Sequence, residues 1–421
     1  MKVRRAYKTE LKPNGFQREL LTRHCCAARF AYNWGLARKA ACYKPSGRSL
    51  TAVDFHRELC ALKKTDFPWL YEVSKCAPQE ALRDLDRAFA NFFRRVKLKA
   101  EGKPQGKVGF PRFKSKRKGL GSFRLTGSIR SEAGRIKLPR LGWISLKEKG
   151  YLPGSGESIH ILSATVSERA GRWFVSLQVE EEMPEPERPC GPAVGIDLGL
   201  QTLAACSYGD GSYVHYENPR ALERAQRKLR GLQRKLRRQE KGSNRRGVTR
   251  LKIARSHMRV SCIRQNAIHQ ATSQIVAKAK PSSQRPYLVG IEDLNVSGMM
   301  RSHRLARSVA DASMREFRRQ MSYKCVWHGI ELVVLPRFEP TSKPCSVCGW
   351  SKADLSLADR TFRCEACGHE ADRDDNAADN IRALAVSSTE RINGRGGDAR
   401  PAGNSGRTPA KRQSEEMACL S

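Results

Sequence analysis

Two Cys-x-x-Cys pairs, Cys345 with Cys348 and Cys364 with Cys367, stand fifteen residues apart, and no other feature restricts the folding of this chain so tightly. Each pair forms a knuckle that presents two thiolates to one ion, and two knuckles at this spacing build a single tetrahedral zinc site. Gly349 and Gly368 directly follow the knuckles and ease their turns. Two such motifs at ribbon spacing argue against a redox role. Four protein ligands leave no open coordination position, so one structural zinc is expected, with His369 outside the ligand set. The other ten of the 14 cysteines are scattered in apolar or helical contexts, where a reduced cysteine acts as a small core residue.

Three carboxylates carry the candidate chemistry. Asp197 closes the apolar run AVGID and sits between Gly195 and Gly199; Glu292 closes a second apolar run, YLVGIE; Asp374 lies in ADRDDNAADNI, just before a helix-compatible NAADNI. Taken singly, each reads as a turn or cap residue. As a set, two strand-end acids and one helix-start acid can converge on one sheet edge. Carboxylates gathered in this way repel unless cations lie between them, and two magnesium ions would serve, activating water against a phosphodiester. Asp293 follows Glu292 along the strand and is expected on the opposite face. Asp372, Asp375 and Asp379 compete with Asp374 for the third role, and pattern alone does not choose among them. Arg373 reads equally as a phosphate clamp or a counter-charge.

Charge says what such a site would act on. Among 421 residues, 79 are Lys or Arg and 42 Asp or Glu, a formal charge of +37, and a field of that size attracts polyanions, nucleic acid first. No membrane partner is expected: no apolar run approaches a bilayer span, and the opening MKVRRAYKTELK lacks a signal-peptide core. From Arg220 to Val260 there are 16 basic residues and two acidic ones, while Leu222, Ala225, Leu229, Leu232 and Leu236 form a narrow apolar seam. Those spacings predict a two-helix hairpin broken at residues 241–247, with cationic outer faces that include Arg234, Arg237 and Arg238. A basic, glycine-rich stretch, GFPRFKSKRKG, sets Phe110 and Phe113 among Arg112, Lys114 and their neighbours, a mixture suited to stacking bases and gripping phosphates.

The remaining pattern is multidomain α+β. Residues 1–12 read as a strand. Helices are expected from Phe16 to about Tyr43 and from Pro78 to Lys99, the latter with a stripe of Leu82, Leu85, Phe89, Phe92 and Val96. Short strands from Arg135 to Glu182 suggest a small β-barrel or sandwich, and Glu180 to Pro192 a linker. Three meander strands follow between Ala193 and Tyr216, then the strand holding Glu292, a helix over 310–328, a strand from Glu331, and a disordered tail beyond about Val386.

Together these residues resemble the TnpB family of transposon-encoded, RNA-guided DNA endonucleases, relatives of compact type V CRISPR effectors. The resemblance rests on GIDLG at Asp197, GIEDLNVSGM at Glu292, RLARSVADASMREFRRQMSYKC from Arg304, PTSKPCSVCG from Pro340 and CEACGHEADRDDNAADNI from Cys364. It extends more loosely to ALRDLDRAFANFFRRVK and GFPRFKSKRK. In that family the third acid stands two places before the asparagine of the NAA segment, which implies Asp374, with Asp375 at a variable position. The resemblance implies a wedge-like β-barrel (1–15 and 106–186) split by a helical recognition lobe (16–105). A RuvC/RNase H-like nuclease (187–340 and 371–385), a zinc ribbon (341–370) and a disordered tail (386–421) complete the implied layout. It also implies a guide RNA, double-stranded target DNA with a displaced single strand, a short flanking motif, a monomer, and a bacterial or archaeal cytosol, nucleoid-associated when on DNA. Competing readings are a nuclease-inactive guided repressor, a guide-free RuvC-like nuclease, and a strand-joining transposase. The three acids argue against the first, the large basic N-terminal half against the second, and the absence of a recognisable tyrosine or serine nucleophile against the third.

Overall fold

The computed structural model describes residues 1–46, 50–103, 107–154, 159–277, 281–356 and 359–394. They form two compact units, Met1–Glu185 with Ala221–Ile263, and Pro186–Arg220 with the chain from Arg264 on.

The first unit opens with β1 (Lys2–Lys12) and three helices, α1 (Gly15–Ser46), α2 (Ala52–Leu62) and α3 (Cys76–Ala100). Strands β2 (Ser122–Leu125), β3 (Arg130–Glu132), β4 (Arg135–Leu138), β5 (Gly142–Leu146), β6 (Ile159–Arg169) and β7 (Arg172–Glu182) follow. The sheet order is β2-β6-β7-β1-β5-β4-β3. Among the described residues no ladder joins β2 to β3, so the sheet is open and the expected barrel is not confirmed. Its edge strands are four and three residues long, which leaves few unpaired backbone groups to seek closure. One apolar core runs from sheet residues such as Ile136, Ile144 and Leu177 to Leu21 of α1 and Leu82 and Leu85 of α3. The α3 stripe is core through Phe89; Phe92 is half-buried and Val96 exposed. Helix α2 was not anticipated, although Thr51 and Asp54 form a capping box at its start. The expected linker is shorter than its composition suggested, since β7 runs through Glu182.

The cationic hairpin is α4 (Ala221–Arg238) and the beginning of α5 (Asn244–Ile275). Arg246 donates to the carbonyls of Leu236 (2.5 Å) and Gln239 (2.6 Å), placing a guanidinium at the C-terminal end of α4, where a cation is favourable.

In the second unit, β8 (Gly191–Asp197), β9 (Thr202–Ser207) and β10 (Tyr213–Glu217) form the meander. After β11 (Pro286–Glu292) come α6 (Val296–Met299), α7 (Ala306–Ala312), α8 (Met314–Trp327) and β12 (Glu331–Leu335). A two-stranded ribbon, β13 (Thr361–Arg363) with β14 (Glu370–Asp372), precedes α9 (Arg373–Gly394). The main sheet has the order β10-β9-β8-β11-β12, with β8, β11 and β12 parallel and the meander antiparallel. Both faces of β8 and β11 are covered, which explains their near-continuous apolar runs. Val194, Ile196, Val289 and Ile291 pack with Phe317 and Met321 of α8 and Ile275 of α5; Ala193 and Leu288, on the other face, meet Ala385 of α9.

The helix expected over 310–328 is two helices, because Ser313 takes a left-handed conformation (φ 53°) between α7 and α8. The tail begins later than expected. Helix α9 continues through Gly394, with Ala385 and Thr389 buried and Val386 packed on Leu288 and Ala193; residues 395–421 lie outside the described residues. No helix among the described residues is long and apolar enough to cross a membrane.

Candidate active site

Strand register brings the first two acids together. Ile196 of β8 pairs with Ile291 of β11 in a parallel ladder, so Asp197 and Glu292 end neighbouring strands at one level. Side chains alternate along a strand, which puts Asp197 on the face of Gly195 and Ala193, and Glu292 on the face of Gly290 and Leu288. That is the face covered by α9.

The third acid is delivered by close packing. Gly195 and Gly290 are register partners, and a Cβ on Gly195 would stand 2.0 Å from the carbonyl oxygen of Ala378. One on Gly290 would stand 2.7 Å from the Cβ of Ala385 and 3.0 Å from the carbonyl oxygen of Ile381. The two glycines therefore let α9 lie against the sheet, running antiparallel to β8 and β11. Four residues of helix from Ala378 back to Asp374 rise about 6 Å, nearly the advance of two strand residues from Gly195 to Asp197, so Asp374 arrives level with Asp197. Its Oδ2 lies 3.7 Å from where a Cβ on Gly199 would be.

The electrostatics register this convergence. The Asp197 carboxyl is pushed up to about 8, first by burial, then by the charges of Glu292 and Asp374, with Arg373 and the Leu198 amide opposing. Glu292 is raised by burial, while the hydroxyl of Thr341, which donates to its Oε1, opposes the shift. Arg373 approaches Asp374 at 3.4 Å. Among the described residues, Cys345, Cys348, Cys364 and Cys367 form a group that could hold a metal ion, their sulfurs all within 4.8 Å of one another. A cavity of about 270 Å³ opens beside Glu292, lined by Leu198, Asn295, Met314, Arg315, Arg318 and Arg337.

The competing acids are engaged elsewhere. Asp293 is held by Arg318 and, at 2.8 Å, by Arg337. The Asp372 side chain accepts from the Asp374 amide at 2.8 Å. Asp375 is buried and bound to His215 Nε2 at 2.6 Å; Asp379 accepts from Ser207 and from Tyr213 at 2.6 Å. His215, Tyr213, Ser207 and Thr341 were missed in the sequence. The alternation in SYVHY would have placed Tyr213 and His215 on one face, but nothing local points them at α9.

The four cysteines come together as their spacing requires. Sγ of Cys345 and Cys367 are 3.8 Å apart, and those of Cys348 and Cys364 3.5 Å. Zinc–sulfur bonds of about 2.3 Å in a tetrahedron put sulfurs about 3.8 Å apart, so the residues fit the ion. Each knuckle closes through a glycine amide, Gly349 to the Cys345 carbonyl and Gly368 to that of Cys364, both at 3.0 Å, with φ of 77° and 73°. Buried Asn376 accepts from the Ser346 amide (2.9 Å) and donates to the Pro344 carbonyl (2.8 Å), and Asn380 donates to the carbonyls of Thr341 and Pro344 (2.8 Å each). These bonds fix the base of the ribbon to α9 two and six residues beyond Asp374. Elsewhere, Arg234, Arg237, Arg238 and Arg112 are exposed, while the Lys114 ammonium lies 4.0 Å over the ring of Tyr32.

Family models match residues 176–303 ("Probable transposase"), 315–381 ("Cas12f1-like, TNB domain") and 1–48 ("Helix-turn-helix domain"). In the structure, residues 1–46 form one strand and one long helix rather than a helix-turn-helix. A protein of Streptomyces pristinaespiralis, described as "Putative RNA-guided DNA endonuclease", is 34% identical over 391 residues, 92% of this chain and 90% of its own. The chain belongs to the TnpB family. A relative from Escherichia coli (strain K12) with the same description, InsQ, is 32% identical over 401 residues, 91% of this TnpB chain and 92% of its own. A solved structure of CasPhi-2 (Cas12j) bound to crRNA aligns at 10% identity and a TM-score of 0.47, covering 91% of this chain and 98% of that one.

Proposed function

We propose that this protein is an RNA-guided DNA endonuclease of a transposable element that cuts DNA beside a short flanking motif. In this reading Asp197, Glu292 and Asp374 are the carboxylates of a RuvC-type, RNase H-like site. The observation that carries it is the meeting of two strand-end acids in register with a helix-start acid, at a point where Asp197 is pushed up to about 8. Carboxylates so placed are complementary to hard cations, and two magnesium ions bound there would supply Lewis-acid activation of water and charge for the leaving oxygen. The chain's own residues do the positioning. Asp197 and Glu292 are fixed by the ladder, Thr341 holds the Glu292 carboxylate in one orientation, and Arg373 offsets part of the accumulated charge. One structural zinc on Cys345, Cys348, Cys364 and Cys367 holds the ribbon of residues 341–370.

The names of the relatives support guide dependence and a DNA substrate, and the formal charge of +37 supports a bulky RNA partner. Base pairing then reads sequence while the protein reads duplex shape and the flanking motif. Residues 187–340 with 371–385 serve as the nuclease, 1–15 with 106–186 as the wedge and 16–105 as the recognition segment. Exposed Arg234, Arg237, Arg238 and Arg112 meet the nucleic-acid backbone, together with Lys114, two residues after Arg112, whose ammonium also lies over Tyr32. The protein acts as a monomer in the cytoplasm.

The test supplies protein with its co-purified RNA, a target library matched to that RNA with randomised flanks, and magnesium. Cutting beside one enriched flank is expected, lost on chelation, restored by magnesium, and absent from Asp197→Ala, Glu292→Ala and Asp374→Ala, a fall of at least about 10²–10³-fold with target binding retained. Cutting by Asp197→Ala, or without any divalent ion, defeats the mechanism.

A further inference from the structure

Register extends the row of acids across two more strands. Asp197 pairs with Ala205 of β9, and Ala205 with His215 of β10, so Glu292, Asp197, Ala205 and His215 lie in one line on the face that α9 covers. Two strand spacings put the Cα atoms of Asp197 and His215 roughly 10 Å apart. Ala205 leaves only a methyl group between them.

Two aspartates one turn apart on α9 meet this edge of the sheet. Asp379 accepts from Tyr213 and Ser207, which are register partners level with Gly195, where helix and sheet approach most closely. That rung docks the helix. The second rung, Asp375 with His215, lies level with the acids and differs from the first: Asp375 is buried with His215 as its partner, yet the imidazole is 48% exposed. Nε2 and the carboxylate lie within hydrogen-bond distance, which fixes the orientation of the half-exposed imidazole, as in other pairs where an aspartate holds a histidine.

We propose that His215, held by Asp375, binds a phosphate of the cut strand next to the scissile one, with Asp375 as its positioning residue. The proposal rests on the reading of Asp197, Glu292 and Asp374 as the cutting centre. A half-exposed imidazole oriented by a buried carboxylate can offer a ring N–H to a phosphate oxygen, a bond that fixes the strand's advance across the acids.

The experiment uses the RNA-loaded protein with magnesium and DNA targets carrying one neutral methylphosphonate linkage at successive positions around the cut. The wild-type enzyme is expected to slow by about tenfold at one flanking linkage, the effect of one hydrogen bond to a charged group. His215→Ala should be slower by about the same factor on ordinary DNA, with no further loss at that linkage. Asp375→Asn should reproduce part of the effect, and His215→Arg should restore sensitivity to the linkage. Melting temperatures separate this from a structural role, which would lower stability and leave the linkage profile unchanged. Should the wild type fail to cut, both this proposal and the assignment of the cutting centre fall. Should the wild type cut, Asp197→Ala not cut, and His215→Ala match the wild type at every linkage, only the role of His215 falls.

Discussion

The four cysteines, a group that could hold a metal ion, and the three carboxylates proposed as the cutting centre are built in opposite ways. The cysteines come from 23 consecutive residues, and two tight turns with left-handed glycines suffice to bring their sulfurs together. The carboxylates come from residues 197, 292 and 374, and meet only because a parallel ladder aligns two strand ends and a pair of glycines lets a helix lie on the sheet. A site closed by local turns is legible from spacing; one closed by register is legible only once the sheet is known. The two are also linked, since Thr341 binds Glu292 while Asn376 and Asn380 tie the ribbon's base to the helix that carries Asp374.

Removing the zinc tests that link with the largest expected effect. Structural zinc sites of this kind contribute on the order of 10 kcal/mol to folding their own segment. Cys345→Ser is expected to abolish zinc content, open residues 341–370 to protease, and stop cutting through Thr341, with RNA binding preserved. Intact protease resistance in a zinc-free variant would show that the ribbon holds itself together.

Two glycine substitutions then separate local from non-local assembly. Gly195→Ala forces a Cβ to 2.0 Å from the Ala378 carbonyl and 2.5 Å from the Arg382 amide, so backbone must move; a loss of about 3 kcal/mol is expected, together with cutting, because Asp374 rides on the displaced helix. Gly349→Ala meets nothing within 4 Å and suffers only its positive φ, about 1–2 kcal/mol. It should keep its activity once zinc-loaded. Equal damage from the two substitutions, measured by denaturation and by cleavage, would erase the distinction.

The same distinction explains what the sequence disclosed. Cys345, Cys348, Cys364 and Cys367 were readable because chemistry and spacing sit in one segment. Asp197 and Glu292 were readable as carboxylates ending apolar runs, where an unpaired charge needs a reason. The part that the glycine two places before each, in GID and GIE, plays in admitting α9 depends on a helix nearly a hundred residues or more away. The third acid could not be chosen on pattern, since four aspartates crowd residues 372–379; the structure separates them by partner, giving Asp375 to His215 and Asp379 to Tyr213. The break at Ser313 left no signal, because serine is not a residue from which a left-handed turn is expected. The open N-terminal sheet was missed because strand pattern reports how many strands exist, not whether the outermost two pair.

The effect that reports most directly on the carboxylate site is its dependence on pH before magnesium binds. Asp197 stands at about 8 in the folded chain, against an ordinary aspartate value near 4 in the unfolded one. Between those values the folded state holds a proton that the unfolded state has released, so stability falls as pH rises from about 4 to about 8 and levels off above. Asp197→Asn keeps the shape and removes the titration. In zinc-containing, magnesium-free buffer the variant should match the wild type near pH 4 and exceed it by pH 8, by about 2 kcal/mol, less than the full shift because Glu292 and Asp374 share the repulsion. Magnesium should reverse the order, stabilising the wild type and leaving the variant unmoved, with the gain largest above pH 8, where no proton has to be displaced. The cysteine site should show no such reversal, its zinc being held throughout. A wild type at least as stable as Asp197→Asn at pH 8 without magnesium would mean that the three acids are not gathered closely enough to repel, and the convergence described for β8, β11 and α9 would have to be redrawn.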